Sequence, residues 1–484
     1  MNKKTIHILE VVAVGIIMAV GIHLTQEFRF YNIESNDLFL YDWNHIWTLL
    51  KGTGGLSTLL ASFLTQFMRI PFAGTVILTA IYMLSAYMMY KVLSKVNTGV
   101  LSEGLSLFPA VFLFLCMEND YYRFQGHLAF LLMLSALAAY VSAGKEKVRF
   151  IAGLIFIPVL YHVAGSVASV FALTAAILDI MQNGRRGLKS LSYVLVAGLS
   201  ALVYIRTSMV SGWEHALTPF MYYDWPSTYF FPVYAWIMVP VLVVAAWLAG
   251  RWAERLSKSS IAAAAVAALA FFIVGNFYSQ VHSRSYYRLI QEQYWAENKD
   301  WDRIIETADR RQPTFLVSYL NLALAQKGQL VQNFRYYNPQ SLASIMYPTP
   351  NLKTGLTLQS SVYSAWDYHA AARQAAFDAN TVTSGNCNPR QLKVLIETNI
   401  ALGASDVAMK YISILRKTLF YRDMADELYE RIDESEADAQ QLPDEYVRYE
   451  GLKGDMRDML EINPSHPVLS QFYRLYQMLE EEGK

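Results

Sequence analysis

The chain has 484 residues, 54% hydrophobic and 14% aromatic, with 40 basic and 40 acidic residues and a formal net charge of zero. Such apolarity exceeds that of ordinary soluble domains, and the length leaves room for a membrane portion and a separate folded domain. The charge balance, with no basic stripe outside short loops, gives no footing for a nucleic-acid partner.

Apolar runs of about spanning length fall at roughly 8–27, 72–94, 102–117, 127–144, 149–163, 165–182, 190–208, 229–249 and 260–278, which predicts about nine spans. The first run is read as an anchor, because Gly21 to Glu27 offers no small-x-small cleavage site. Basic residues punctuate alternate connections: Lys3 and Lys4, Lys91 and Lys95, Lys145 with Lys147 and Arg149, Arg185 with Arg186 and Lys189, and Arg251 with Arg255 and Lys258. These clusters mark the inner side, so the N-terminus is expected inside and everything after Val281 outside. The span count is least defined around 149–182, where the hairpin Val163 to Ser166 carries only small residues.

The first outer loop, 28–71, is longer than a turn requires. Tyr41, Trp43, Ile46, Trp47, Leu49 and Leu50 alternate with Asp42, Asn44, His45 and Lys51, a pattern for a helix lying in the membrane interface. After the break Gly52 to Gly55, Leu56, Leu59, Leu60, Phe63, Leu64 and Phe67 recur at helical spacing up to Pro71, predicting a second interfacial helix. Glu34, Asp37 and Asp42 gather just past the first span, where charge is costly unless used or paired. Asp37 or Asp42 would serve equally as a helix N-cap.

A second acidic cluster, Glu118 and Asp120, sits at the mouth of the next outward span, followed by Arg123. Two carboxylates around one residue suit hard oxygen coordination of Mg²⁺ or Mn²⁺, and the guanidinium suits a phosphate. A solvated turn is the plain alternative. Further along, Arg206 ends a span and faces a loop with Trp213, Glu214, His215, Tyr222, Tyr223, Asp224 and Trp225, whose rings suit sugar faces and membrane interfaces alike. Cys116 and Cys387 have no ligand spacing and read as isolated thiols. No Asn-x-Ser/Thr sequon occurs, which favours a bacterial inner membrane with a periplasmic C-terminal domain.

From Tyr286 the composition turns to charged amphipathic helices. Helices are expected over Leu289 to Ala296, Trp301 to Ala308, Leu316 to Lys327, Gln391 to Leu402, Asp406 to Thr418, Phe420 to Ile432 and Leu469 to Glu481, with turns at Asn298 to Asp300, Gly328 and Gly403. Asn333 to Ser361 reads as an insertion, and Asp367 and His369 as residues of one helix on different faces. The helix-turn-helix units resemble tetratricopeptide repeats. The expected fold is therefore all-α, an integral membrane domain over 1–280 followed by an extracytoplasmic helical-repeat domain over 281–484.

The two acidic outer loops and appended domain resemble the GT-C superfamily of membrane glycosyltransferases, which use lipid-phosphate-linked sugars. That resemblance implies a catalytic acid at Asp37 or Asp42, a metal or phosphate motif at Glu118 and Asp120, and substrate contacts at Arg123, Arg206, Trp213, His215 and Tyr223. An adjacent acidic pair in the first loop is missing. Separately, Phe39-Leu40-Tyr41-Asp42-Trp43, Gly54-Gly55-Leu56 and Phe63-Leu64-Thr65-Gln66-Phe67 resemble a bacterial family of polytopic membrane proteins of unknown function. The expected partners are membrane lipid, a lipid-phosphate-linked sugar and a protein or glycan on the helical repeats. A non-catalytic envelope scaffold is the alternative, and a transporter the third reading, disfavoured by scarce intramembrane charge and the lack of a broken-helix pair.

Overall fold

The structure, a computed structural model, describes residues 3–96, 104–117, 122–207, 209–223, 231–251, 284–310, 312–337, 345–346, 353–383, 387–435 and 452–481. Among these residues the regular elements are all helical, and pairing between strands is confined to an isolated antiparallel bridge, Tyr122 with Tyr223. The chain divides into two compact units, Met1–Glu27 with Asp42–Ser283, and Phe28–Tyr41 with Arg284–Lys484. The later division falls between Ser283 and Arg284. Residues 28–41, expected in the membrane domain, group with the second unit, where Leu38 enters a core with Leu392 and Glu34 pairs with Arg390 and Tyr421.

In the first unit, α1 (Lys3–Asn36) supplies residues up to Glu27 and continues well past the expected end of the first span. The two helices expected in the first loop are present as α2 (Trp43–Lys51) and α3 (Gly55–Thr65). Asp42 caps α2 by accepting a hydrogen bond from the Asn44 amide at 3.0 Å, satisfying one of the donors that every helix start leaves open. Trp43 and Trp47 are exposed on α2, as an interfacial face requires.

The remaining helices are α4 (Ala73–Val96), α5 (Phe108–Cys116), α6 (Gln125–Ser142), α7 (Glu146–Val163), α8 (Ala168–Asn183), α9 (Ser192–Arg206), the short α10 (Trp213–Leu217) and α11 (Phe231–Arg251). Helix α4 packs on α5 and α6, α11 packs on α4, α5 and α8, and α9 packs on α7 and α8. Gly153 of α7 lies where a Cβ would come within 2.6 Å of the Tyr193 ring, so a small residue sets the α7/α9 approach.

Among the described residues four stretches are long and apolar enough to cross a membrane, Val12–Asn36, Ala73–Val96, Gln125–Ser142 and Ala168–Arg206, against the nine expected of the whole chain. Helix length accounts for much of the difference. The 3₁₀ segment Gly184–Leu191 divides Ala168–Arg206 into α8 and α9, of 16 and 15 residues. At 1.5 Å per residue each falls short of a hydrocarbon core of about 30 Å. Helix α7 opens on Glu146, Lys147 and Arg149, and the expected run at 260–278 lies outside the described residues.

The second unit comprises α12 (Arg284–Glu297), α13 (Trp301–Glu306), α14 (Thr314–Gln326), α15 (Leu330–Asn333), α16 (Lys353–Ala365), α17 (His369–Thr381), α18 (Pro389–Ala401), α19 (Ser405–Leu415), α20 (Arg422–Ser435), α21 (Leu452–Ile462) and α22 (Leu469–Glu481). From α16 to α20 each helix packs on its predecessor, and α12, α14, α16, α18 and α20 also pack in sequence on one another. Left-handed residues turn the chain between α12 and α13 (Lys299, φ 57°), α14 and α15 (Gly328, 73°), α16 and α17 (Asp367, 54°), and α18 and α19 (Gly403, 71°). Asp367 is thus a turn residue and not a helical one, and its carboxylate lies 3.1 Å from Nε2 of His466. Helix α16 also replaces the end of the expected insertion, because Leu356, Leu358 and Val362 are buried.

Two apolar cores hold this unit. One gathers Leu316, Leu320, Trp366, Phe472 and Leu475; the other gathers Leu392, Ile396, Ile412, Leu415 and Leu428, together with Leu38 from the 28–41 segment. Glu292 of α12 is fully buried, with Oε1 3.1 Å from Nε of Arg288 and Oε2 without a partner. Burial pushes its carboxyl up to about 8, which Arg288 only partly offsets. A folded-state pKa above the unfolded value means stability present at acid pH and lost as pH rises through the folded value. The thermal midpoint of this unit is therefore expected to fall between pH 5 and pH 8. Glu292→Gln should flatten that slope, and an unchanged slope would place Glu292 outside the titration.

Candidate functional site

The first unit has one end at which several loops converge. The Gly54 amide donates to the Tyr161 carbonyl at 3.2 Å, and Gln125 Nε2 donates to Ser57 Oγ at 3.2 Å and to the Gly54 carbonyl at 3.4 Å. The Arg123 amide donates to the Tyr222 carbonyl at 2.8 Å, beside the Tyr122/Tyr223 bridge. Tyr222 OH donates to the Ala164 carbonyl at 2.7 Å and accepts from the Val167 amide at 3.2 Å. Ser166 Oγ donates to the Thr218 carbonyl at 2.7 Å, and Tyr161 OH to the Ala216 carbonyl at 3.0 Å. The Gly54 turn, the 122–125 segment, the 216–223 segment and the 163–166 hairpin thus share one seam.

A different end holds the basic connections. Arg149 meets Asp179 at 2.8 Å, Ser190 Oγ donates to the same carboxylate at 2.6 Å, and Lys189 meets Glu146 at 2.6 Å. Asp179 is buried and paired, a structural tie between α7, α8 and the 3₁₀ segment.

Gly54 stands at φ +72°, and a Cβ there would lie 2.8 Å from Gln125 Nε2 and 3.0 Å from the Ala164 carbonyl oxygen. Gly54→Ala is expected to cost about 1–3 kcal/mol from the left-handed backbone and the displaced seam. A thermal midpoint in detergent equal to that of the native chain would show the seam to be loose.

Of the expected site residues, Asp42 caps α2 in this unit, and His45, which the sequence did not single out, lies in the first turn of that helix. Burial lowers the His45 pKa, and the Asp42 carboxylate opposes that shift. Arg123 and Tyr223 are in the seam through the backbone bond and the bridge. Trp213 and His215 are on α10, the tryptophan exposed and the histidine half-buried, and Arg206 is exposed at the end of α9. Asp37 is half-buried and groups with the second unit, whereas Asp42 groups with the first. Glu118, Asp120, Asp224 and Trp225 lie outside the described residues. Among the described residues no group of three or more His, Cys, Asp and Glu has the arrangement to hold a metal ion.

Two features escaped the sequence reading. His127 is fully buried under the seam, its Nδ1 3.5 Å from Tyr82 OH, with its Nε2 and the Tyr122 OH lacking hydrogen-bond partners. A lone histidine in an apolar run carries no signal for this. The other is Glu34, which in the second unit accepts from Arg390 Nη2 at 2.8 Å and from Tyr421 OH at 2.6 Å. Arg390 also meets Glu297 at 3.0 Å, donates to the Tyr31 carbonyl at 3.1 Å and lies 3.3 Å above the Tyr31 ring. Asn388-Pro389 marks the start of α18 in the sequence, but nothing local points from Arg390 to Glu34.

The fold and seam define an all-helical protein with apolar helices of membrane-spanning length and a second helical unit. The chain belongs to a family of unknown function, DUF6057, whose model matches residues 3–482. No curated protein and no solved structure matches it.

Proposed function

We propose that the protein is a membrane-embedded glycosyltransferase of the GT-C type, acting on a lipid-phosphate-linked sugar at the outer face of a bacterial inner membrane. The shorter apolar helices, α8 and α9 of the Ala168–Arg206 stretch among them, complete their crossings with the turns that flank them, to about nine spans, and the C-terminal unit is a periplasmic tetratricopeptide-like domain that recruits the acceptor. The observation that carries this reading is the seam: the segments bearing Arg123, Trp213, His215 and Tyr223 meet the turn at Gly54, which follows the helix that Asp42 caps, at one end of the first unit.

In this reading the Asp42 carboxylate accepts the proton of the attacking acceptor hydroxyl as the glycosyl-phosphate bond breaks. Arg123 and Arg206 neutralise the departing phosphate, and Trp213 and Tyr223 stack on the sugar. The expected divalent ion belongs to Glu118 and Asp120. The test is consumption of radiolabelled polyprenyl-phosphate-linked hexoses by the full chain in lipid nanodiscs supplied with envelope extract as acceptor. Donor turnover supports the transferase. No turnover, with the chain folded and envelope proteins co-purifying through residues 284–484, hands the case to the scaffold reading. That second reading is favoured by one observation, the purely structural pairing of Glu34.

A further inference from the structure

Within the first unit, residues 143–150 and 182–193 hold six basic side chains against one acidic one, Glu146, so the end they form carries a positive excess. The fold joins the two connections into one surface. Arg149 and Ser190 share the buried Asp179 carboxylate, Lys189 meets Glu146 at 2.6 Å and sits 5.2 Å above the Phe150 ring, and Tyr193 OH donates to the Phe150 carbonyl at 3.3 Å. The Lys189 bond holds the Glu146 carboxyl below its usual range and Arg186 and Arg149 add to the effect, which puts Arg186 within electrostatic reach of the same surface. Lys145, Lys147, Arg185 and Arg186 are exposed, and among the described residues no ion pair takes them up. The 3₁₀ segment Gly184–Leu191 repeats every three residues, so it has three edges. Gly187 and Ser190 form the buried edge, where a Cβ on Gly187 would collide with the Asp179 carbonyl oxygen. Arg186 and Lys189 form a second, and Leu188 and Leu191, each 51% exposed, stand on the third behind Arg185.

We propose that this surface binds anionic phospholipid, the basic edge taking the headgroup phosphate and the leucine edge the first part of the acyl chains. A cationic edge and an apolar edge side by side, with the third edge seated on the protein, match a ligand whose phosphate and hydrocarbon are likewise adjacent. A soluble phosphate ester would meet the charges and leave Leu188 and Leu191 in water. The unpaired guanidinium groups of Arg185 and Arg186 suit the planar face of a phosphodiester. The proposal rests on the membrane placement in the proposed function and is independent of the transferase chemistry.

Native mass spectrometry of the full chain in mild detergent, titrated with phosphatidylglycerol and separately with phosphatidylethanolamine of the same acyl chains, tests the site. Phosphatidylglycerol is expected to bind about tenfold more tightly. At roughly fivefold per basic side chain near an anionic surface, Arg185→Gln with Arg186→Gln should weaken phosphatidylglycerol about 25-fold and leave phosphatidylethanolamine unchanged. Both side chains are exposed, so the thermal midpoint should stay native. Leu188→Ser with Leu191→Ser should weaken phosphatidylglycerol severalfold through the lost apolar cover. Equal affinity for the two lipids overturns the proposal, and so does native phosphatidylglycerol affinity in the arginine variant. Native affinity in the leucine variant, or displacement of the lipid by an equal concentration of glycerol phosphate, also overturns it, by reducing the surface to a site for soluble anions. A chain that discriminates the lipids but turns over no donor removes the transferase reading alone. One that turns over donor without discriminating them removes this site alone.

Discussion

Replacing Arg390 with methionine is expected to destabilise the second helical unit by about 3–5 kcal/mol, the usual consequence of leaving one partner of a buried ion pair behind. Glu34 is 2% exposed and accepts from both Arg390 and Tyr421, so the substitution strands a carboxylate with a single neutral donor. Glu297 loses a partner too, but burial already pushes its carboxyl up to about 7, so without Arg390 it takes up a proton instead of remaining an unpaired charge. The double variant Glu34→Gln with Arg390→Met should recover much of the loss, because an amide in place of the carboxylate removes the buried charge. Thermal unfolding of the full chain, followed through the tryptophans, checks both. At roughly 2–4 °C per kcal/mol for a unit of this size, the single variant should melt about 6–20 °C lower. A shift below 2 °C would show that Glu34 reaches water and that the cluster is worth no more than a surface pair.

Asp42→Asn is expected to reduce donor turnover by about 10²–10⁴-fold, the range for losing a general base. The fold should be preserved, because asparagine caps a helix about as well as aspartate and its side-chain oxygen can still accept from the Asn44 amide. Asp42→Ala should lose the same activity and, in addition, about 1 kcal/mol of stability from the missing cap. The pair separates chemistry from structure: initial rates report the base, and the thermal midpoint reports the cap. Full activity in Asp42→Asn would confine the residue to capping and remove the proposed base.

The interfacial helices of the first loop were legible because their signals are local. Asp42 precedes a run with Trp43, Ile46, Trp47 and Leu50 on helical spacing, and the Gly52 to Gly55 break separates it from the next apolar stripe. Gly328 and Gly403 likewise mark turns because glycine pays no Cβ penalty at positive φ. The equivalent turn at Asp367 was missed, since a non-glycine residue in that conformation leaves no such mark and only packing holds it there. The candidate site was half legible. Asp42, Arg123 and Tyr223 could be named from loop position, whereas the seam bonds from Gln125, Ser166 and Tyr222 join residues up to 71 apart.

The sequence by itself determined the helical class, the apolar first half, the amphipathic second half and most helix boundaries, because each follows from composition and spacing within a few turns of chain. Tertiary structure alone decided that residues 28–41 belong with the C-terminal helices. The acids of the first loop look equivalent in sequence: Glu34, Asp37 and Asp42 lie within nine positions. Packing separates them, giving Glu34 to Arg390 and Tyr421, and Asp42 to the start of α2. A carboxylate's role depends on which charges and donors surround it after burial, and that neighbourhood is assembled from residues hundreds of positions away.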